Sequence, residues 1–424
     1  MFVLCVDDFG VQYIDRADAL DLYNCLQKYY EEVTIDWEGK LYLGMQLHWD
    51  YKERFCDLTM DKYIPEVIKK YQHPAPKKPQ HQPHPCTPIV YGPQQAQPDD
   101  NSLPLTPEAI KRIQQIVGSL VFYARAQDST LKKALSTLGS EQTKGTEYTE
   151  EKMRQLLDYC YTHPDAKIRY YASDMMLHIH SDGSYLSEAK ARSTAAGHFF
   201  LANKPNPTKP ILNNGAIHTI SNIIKHVMSS AAECELGTAF INAKEGVPIR
   251  TTLDEMGWIQ GPTPLQVDNS TADGIANNKC KQQRSKAMDM RFYWLQDRVA
   301  QNQYHVHWEP GETNLADYYS KHHPSSHHVK VRPLYVHTKE SPKWLPPAKN
   351  IVKQQPDLKG CVNPTGISDP TGITGDPTGI TCPDLVLNHM GLTNTKLTNR
   401  GNNIPRYLYS SFHDRGRSNT TDAS

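Results

Sequence analysis

The chain has 424 residues, enough for two or three domains, and its 46 Lys plus Arg balance 46 Asp plus Glu, so the charge as a whole implies no partner and any nucleic-acid surface has to be local. Hydrophobic residues make up only 38% and prolines number 30, which indicates that part of the chain does not pack. Nine scattered cysteines without a CxxC pair exclude a disulfide framework and a structural zinc site, and no apolar run approaches ~18 residues or follows a basic leader, so a soluble intracellular protein, cytoplasmic or nuclear, is expected.

The opening MFVLCVDDFG reads as a hairpin. Phe2 to Val6 and Val11 to Ile14 are the strands, and Asp7-Asp8-Phe9-Gly10 is the turn between them. Asp is a favoured turn residue, but two adjacent carboxylates repel and each needs solvent or a cation. The Asp-Phe-Gly triplet is not that of a protein kinase, since no Gly-rich loop, strand lysine or His-Arg-Asp loop precedes it. A helix follows from Asp15, its N-cap, to Glu31. LYLGMQLHW alternates as one strand, DYKER turns the chain, and Cys56, Leu58 and Met60 return it as a second hairpin. Asp61 is expected to cap a short helix ending near Tyr71. Residues 73–105, dense in Pro, Gln and His, read as an extended linker, in which His81, His84 and Cys86 are poor metal ligands. Helices resume at Thr106 and occupy 106–165.

An α/β pattern fills 166–335. IRYYAS, MMLHIHSDGS, TAAGHFFLAN, TPLQVDNS and YHVHWEPG are strand-like; long helices begin near Ala231 and at MDMRFYWLQDRVAQ, and NLADYYSKHH is a final helix. The histidines of KHHPSSHHVK read as a solvated cluster, and His305 and His307 share one strand face. Residues 336–424, with PTGI occurring three times, read as a disordered low-complexity tail.

Acidic residues stand where these elements end. Asp182 closes one strand and Asp268 another; Glu235 lies in the first turns of the helix AECELGTAF, and Asp317 opens NLADYY. Any one alone is a solvated strand end or an acid favoured by a helix dipole. Four converging acids would be unstable without divalent cations, and hard oxygen ligands suit Mg²⁺. A Mg²⁺ pair about 4 Å apart serves phosphodiester cleavage.

The segments SDGSYLSEAKARSTAAGHFFL, SSAAECELGTAF, LQVDNSTADGIAN and HVHWEPGETNLADYYSKHHP resemble the RNase H domain of copia-type LTR retrotransposon polyproteins. That resemblance implies an RNase H-like mixed sheet with flanking helices. It also implies catalytic, metal-holding roles for Asp182, Glu235, Asp268 and Asp317, with Mg²⁺ or Mn²⁺ as cofactor and an RNA–DNA hybrid as substrate. Glu233 competes with Glu235; Glu235 is preferred because an aliphatic residue, Leu236, follows it. CVDDFG resembles the Tyr-x-Asp-Asp box of reverse transcriptases, with Cys5 in the aromatic position. On that resemblance 1–72 is a partial palm carrying Asp7 and Asp8, and 106–165 is a helical thumb or connection. The fingers and first palm aspartate are missing, so polymerase activity is expected to be lost unless a longer reverse transcriptase subunit supplies it. A basic run, Lys279, Lys281, Arg284, Lys286, Arg291 and Arg298 against Asp289 and Asp297, carries a net +4 and is expected to meet phosphates. Asn269 and Ser270 are candidates for 2′-OH contacts. The alternative is a non-enzymatic retroelement remnant that folds and binds nucleic acid without cutting it.

Overall fold

The computed structural model describes residues 2–86, 100–279, 289–351 and 397–399. Two units are distinguished, 1–39 with 389–424 and 40–388. In the first, β1 (Phe2–Cys5) pairs antiparallel with β2 (Asp8–Val11). Cys5 faces Asp8 in the register, so the turn is tighter than expected. Its tip is Val6-Asp7, and Asp8 already belongs to the second strand, which stops at Val11. Val6 sits at φ 58, a costly conformation for a β-branched residue. Helix α1 (Arg16–Gln27) starts as expected, with the Asp15 carboxylate accepting from the Ala17 N–H at 2.9 Å. It ends four residues early because Tyr30–Val33 is a strand, β3, paired with Leu397–Asn399. Those three residues of the expected tail therefore have a sheet partner.

The second unit opens with a small sheet. LYLGMQLHW is not one strand: Leu43 and Gly44 both take positive φ and separate β4 (Leu41–Tyr42) from β5 (Met45–Asp50). β5 then forms the expected hairpin with β6 (Phe55–Thr59). Helix α2 (Tyr63–Lys70) follows, with Lys62 rather than Asp61 at its N-cap and no side-chain cap. Residues 73–86 do not behave as a free linker. They lie along α5, described below: His73 Nε2 is 2.7 Å from Asp158, and the Gln80 N–H donates to Thr162 Oγ1. His84 is buried and stacks on His322 at 3.7 Å. The rest of that Pro-rich stretch, 87–99, is outside the described residues. Helices α3 (Pro107–Ala126, capped by Thr106), α4 (Lys132–Glu141) and α5 (Glu147–Thr162) form a layer around Leu120, Leu138 and Leu156.

The expected boundary at 166 is displaced. β7 (Lys167–Tyr171) pairs with β6, not with the strands that follow it. Asp57 on β6 clamps it, accepting from Arg169 Nε at 2.6 Å and lying 3.2 Å from Lys167 Nζ. Periodicity cannot anticipate a pairing across 112 residues. The main sheet is built from β8 (Met176–Glu188), β9 (Arg192–Ala202), β11 (Ala216–Ile223), β12 (Thr263–Val267) and β13 (Tyr304–Trp308), with the short β10 (Ile211–Leu212) outside it. Its order is β11-β9-β8-β12-β13. The first three strands are antiparallel; β12 joins β8, and β13 joins β12, in parallel. A mixed sheet is thus as expected.

Each face of this sheet has its own core. Leu177, Ile179 and Phe199 pack with α6 (Ala231–Glu255), and with α7 (Ser270–Ala276) and α8 (Asp289–Ala300). Ala196, Phe200 and Ala202 point the other way, into one cluster with α2 to α5 and with Tyr319 and Tyr335. The helices of 106–165 therefore cover the second face of the sheet rather than forming a domain of their own. Beyond β13 come α9 (Asp317–Ser320) and α10 (Ser325–Val331). His322, expected to be solvated, stacks on His84, and His323 and His328 are buried beside Tyr318. Order also continues past 335: Val336, Ala348 and Ile351 are buried, and β14 (Trp344–Leu345) pairs with β10. The PTGI repeats lie outside the described residues. Among the described residues, no helix is long and apolar enough to cross a membrane.

Candidate metal centre

Strand β8 carries His178, His180 and Asp182 at alternate positions, so all three leave the sheet on one side. The next residue, Gly183, lies where α6 crosses the strand. A Cβ there would come within 2.9 Å of Thr238 Oγ1 and 3.1 Å of the Cys234 backbone. Because no side chain intervenes, the Gly183 N–H donates to Glu235 Oε1 at 3.1 Å, and Glu235 reaches round the strand toward Asp182. Asp268 follows the last residue of β12, the parallel neighbour of β8. One carboxylate oxygen from each of Asp182, Glu235 and Asp268 lies within 4.8 Å of the other two. Asp182 and Glu235 are buried and Asp268 half-buried.

Three acids this close cannot all stay ionised without compensation. Burial, then Asp317 and Asp268, push the Asp182 carboxyl up to about 7. Burial and then Asp182 raise Glu235 well above the carboxylate range, and burial with Asp317 raises Asp268. Glu235 Oε2 is buried with no hydrogen-bond partner. Unpaired, such an oxygen is costly; beside two further carboxylates it is what a hard divalent cation binds. The donor set thus fits a divalent metal, which Asp182, Glu235 and Asp268 would hold.

Asp317, at the start of α9, is the fourth expected acid. Its charge acts on Asp182 and Asp268, and Lys321 Nζ lies 2.5 Å from its Oδ1. Sequence reading missed Lys321, although its position one helical turn after Asp317 is a pairing signal. The same lysine lowers the proton affinity of Asp182, Glu235 and Asp268, after larger opposing effects. The competitor Glu233 is occupied elsewhere. It is exposed, and its carboxylate accepts from the Ser229 N–H at 2.7 Å at the helix start.

Other expected site residues fall differently. Asn269 is the N-cap of α7, its Oδ1 accepting from the Thr271 and Ala272 N–H groups. Ser270 is exposed. Lys279 Nζ is 3.9 Å from Asp273, and Arg291 lies 6.0 Å from the Phe240 ring centre. Lys281, Arg284 and Lys286 lie outside the described residues. His307 is buried with Nδ1 3.8 Å from Glu309, and His305 shares its strand. Asp7 and Asp8 are in no cluster of potential metal ligands among the described residues.

No protein-family model matches the chain. It is 22% identical over 305 residues to the retrovirus-related Pol polyprotein from transposon TNT 1-94 of Nicotiana tabacum, a match covering 70% of this chain and 21% of the relative. The chain is similar to part of a retrotransposon Pol polyprotein. It spans about a fifth of that relative's length. A comparison of folds pairs it with the N-terminal RNase H domain of a Mycobacterium tuberculosis protein, solved as a fusion with maltose-binding protein. That match has a TM-score of 0.26 and 10% identity, and covers 37% of this chain and 99% of the other.

The Gly183 approach gives a direct test. Gly183→Ala needs no unusual φ, so its effect is steric: the new methyl meets helix backbone, which cannot rotate away. A loss of ~1–3 kcal/mol in denaturant melts is expected. Weaker divalent-metal binding by calorimetry should accompany it, because the strand and Glu235 are forced apart. Metal affinity equal to the parent's would show that the triad does not depend on this contact.

Proposed function

We propose that the chain is a fragment of a copia-type retroelement Pol polyprotein, with partial palm and thumb elements ahead of an RNase H-like domain, and that it hydrolyses the RNA strand of RNA–DNA hybrids. The observation that carries the reading is the meeting of Asp182, Glu235 and Asp268 from two adjacent parallel strands and one crossing helix, with an unpartnered oxygen among them. Similarity to a Pol polyprotein supports the same class of chemistry. Bound Mg²⁺ or Mn²⁺ would supply Lewis acidity and a water of lowered pKa.

The chain's own groups do the rest. The three carboxylates would hold the ion, and the Gly183 N–H fixes the Glu235 carboxylate through Oε1. Asp317, held by Lys321, adds negative charge at the rim. The raised proton affinities make metal binding compete with protons, so activity should rise with pH through the region of about 7 as Asp182 ionises. The hairpin with Asp7 and Asp8 is, on this reading, a polymerase element without a part in hydrolysis.

The test is incubation of the full chain with end-labelled RNA–DNA hybrid, duplex DNA and duplex RNA in Mg²⁺. Cleavage confined to the RNA of the hybrid is expected, falling to background in Asp268→Asn. Equal cleavage by that variant would sink the assignment. Hybrid binding without cleavage in either Mg²⁺ or Mn²⁺ would favour a non-enzymatic remnant.

A further inference from the structure

A second concave site lies between the end of α5, strand β7 and the segment after α10, with a volume of about 430 Å³. Its wall contains Lys167, Arg169, Arg332 and Lys339, with the imidazoles of His163 and His337. Two segments some 160 residues apart in sequence bring these cations together. One acid, Asp165, shares the wall, and two more stand behind it. Asp57 alone serves both Arg169 and Lys167. Asp128 takes Arg332, whose Nη1 also reaches Thr130 and the Tyr159 hydroxyl. The side chains of Asp57 and Asp128 are only 8% and 1% exposed, against 34% for Lys167 and 19% for Arg169. Arg332 is only 10% exposed, so solvent meets mainly Lys167, Arg169 and the exposed Lys339, with the exposed Asp165 on the same wall. Burial, then Arg332, holds His163 down to about 4, and burial with Arg169 lowers His337. One ring nitrogen of His163, Nε2, is 3.1 Å from His81 Nδ1. Asp57 and Asp128 already balance three of these cations behind the wall, and the partly exposed Lys167 and Arg169 with the exposed Lys339 leave donors free on the cavity side; ammonium and guanidinium groups set round one cavity suit phosphate oxygens.

We propose that this cavity is a phosphate subsite, taking a backbone phosphate of a bound nucleic-acid strand. The choice of a polynucleotide as the source rests on the nuclease reading above; the anion chemistry does not. Binding of labelled hybrid to the full chain is to be followed by anisotropy in EDTA over a range of salt concentrations. Lys167→Ala/Lys339→Ala should weaken binding about tenfold or more at low salt, and should flatten the slope of log K against log salt by ~1–2. Lys339→Ala, at an exposed position, keeps the test readable if the double variant folds poorly; it should flatten the slope by ~1. Lys330→Ala, an exposed lysine off the cavity, should leave the slope nearer the parent's than either variant does. A parent-like slope in both cavity variants overturns the subsite, even if hybrid cleavage is intact. A second arm measures melting temperature in inorganic phosphate: stabilisation of the parent, lost in the double variant while hybrid binding is unchanged, would assign the site to free phosphate and overturn the polynucleotide proposal. Parent-like binding with no cleavage would overturn the nuclease reading alone, leaving the subsite standing.

Discussion

The double variant Asp182→Asn/Asp268→Asn should lose divalent-metal binding and, in metal-free buffer above pH 7, should melt at a higher temperature than the parent. The reason is the charge these acids are forced to carry. Burial and neighbouring acids raise the Asp182 carboxyl from 3.8 to about 7. Between about pH 4 and 7 the folded protein therefore keeps a proton that the unfolded chain has released, and stability falls as pH rises through that window. The displacement corresponds to ~4 kcal/mol. Because Asn leaves polar atoms in the same buried place, a net gain of ~2–4 kcal/mol is expected. The gain should vanish below about pH 4, where the unfolded parent is protonated at this carboxyl as well, and saturating Mg²⁺ should reverse the order by stabilising only the parent. Asp7→Asn/Asp8→Asn serves as the contrast. Those residues belong to no cluster of potential ligands among the described residues, and two carboxylates on one turn offer too few oxygens to strip water from Mg²⁺. Metal affinity and melting temperature should stay near parental values. Titration calorimetry and melts over pH decide both, and tighter binding lost with Asp7 and Asp8 would move the metal centre to the hairpin.

Arg332→Met should be the most destabilising single change outside the metal centre, at ~3–5 kcal/mol. Arg332 follows α10, but its guanidinium ends among the first-layer helices. Nη1 lies 3.1 Å from Asp128 and 3.3 Å from both Thr130 Oγ1 and the Tyr159 hydroxyl. Asp128 also accepts from the Thr130 N–H at 3.0 Å. With the arginine gone, a carboxylate that is 1% exposed has no cation. Adding Asp128→Leu should recover much of the loss, since two well-packed apolar side chains avoid the desolvation of both charges. Urea melts measure this, and they also test the continuity of the unit. If helices α3 to α5 and the mixed sheet share one core, the parent unfolds in this region as one transition and the variant shifts all of it. A separate, unshifted transition for the sheet would restore the independent domain that the sequence suggests.

Local patterns were legible because they depend on near neighbours. Asp15 caps its helix as read, and helices resume at Thr106 as read, since an oxygen two or three residues from an orphan N–H needs no tertiary help. The strands MMLHIHSDGS, TAAGHFFLAN, TPLQV and YHVHW stand where their apolar runs place them. The errors came where a turn or a distant partner intervened. Leu43 and Gly44 interrupt an alternation that looks continuous, because positive φ leaves no trace in a hydrophobic pattern. IRYYAS was assigned to the strands after it, yet β7 is claimed by β6 through Asp57. Proline content made 73–86 look like a free linker, but its histidines and glutamines find partners on α5 and beside His322.

By itself, the sequence determined the order of most elements, the four acids as candidates and the likeness to a retroelement polyprotein; it put Asp182 at a strand end, whereas β8 runs on to Glu188 and Asp182 stands inside it. Tertiary structure decided which acids meet. Glu233 and Glu235 are two residues apart and differ little in sequence context, but on a helix that spacing turns them ~200° from one another. One faces the serine at the helix start, and the other faces Gly183 and Asp182. Tertiary structure also gathered Lys167, Arg169, Arg332 and Lys339 round one cavity and set Lys321 on Asp317. Charge falls off with distance through space, not along the chain, so the electrostatics of both sites existed only once the sheet and its two helical layers had closed.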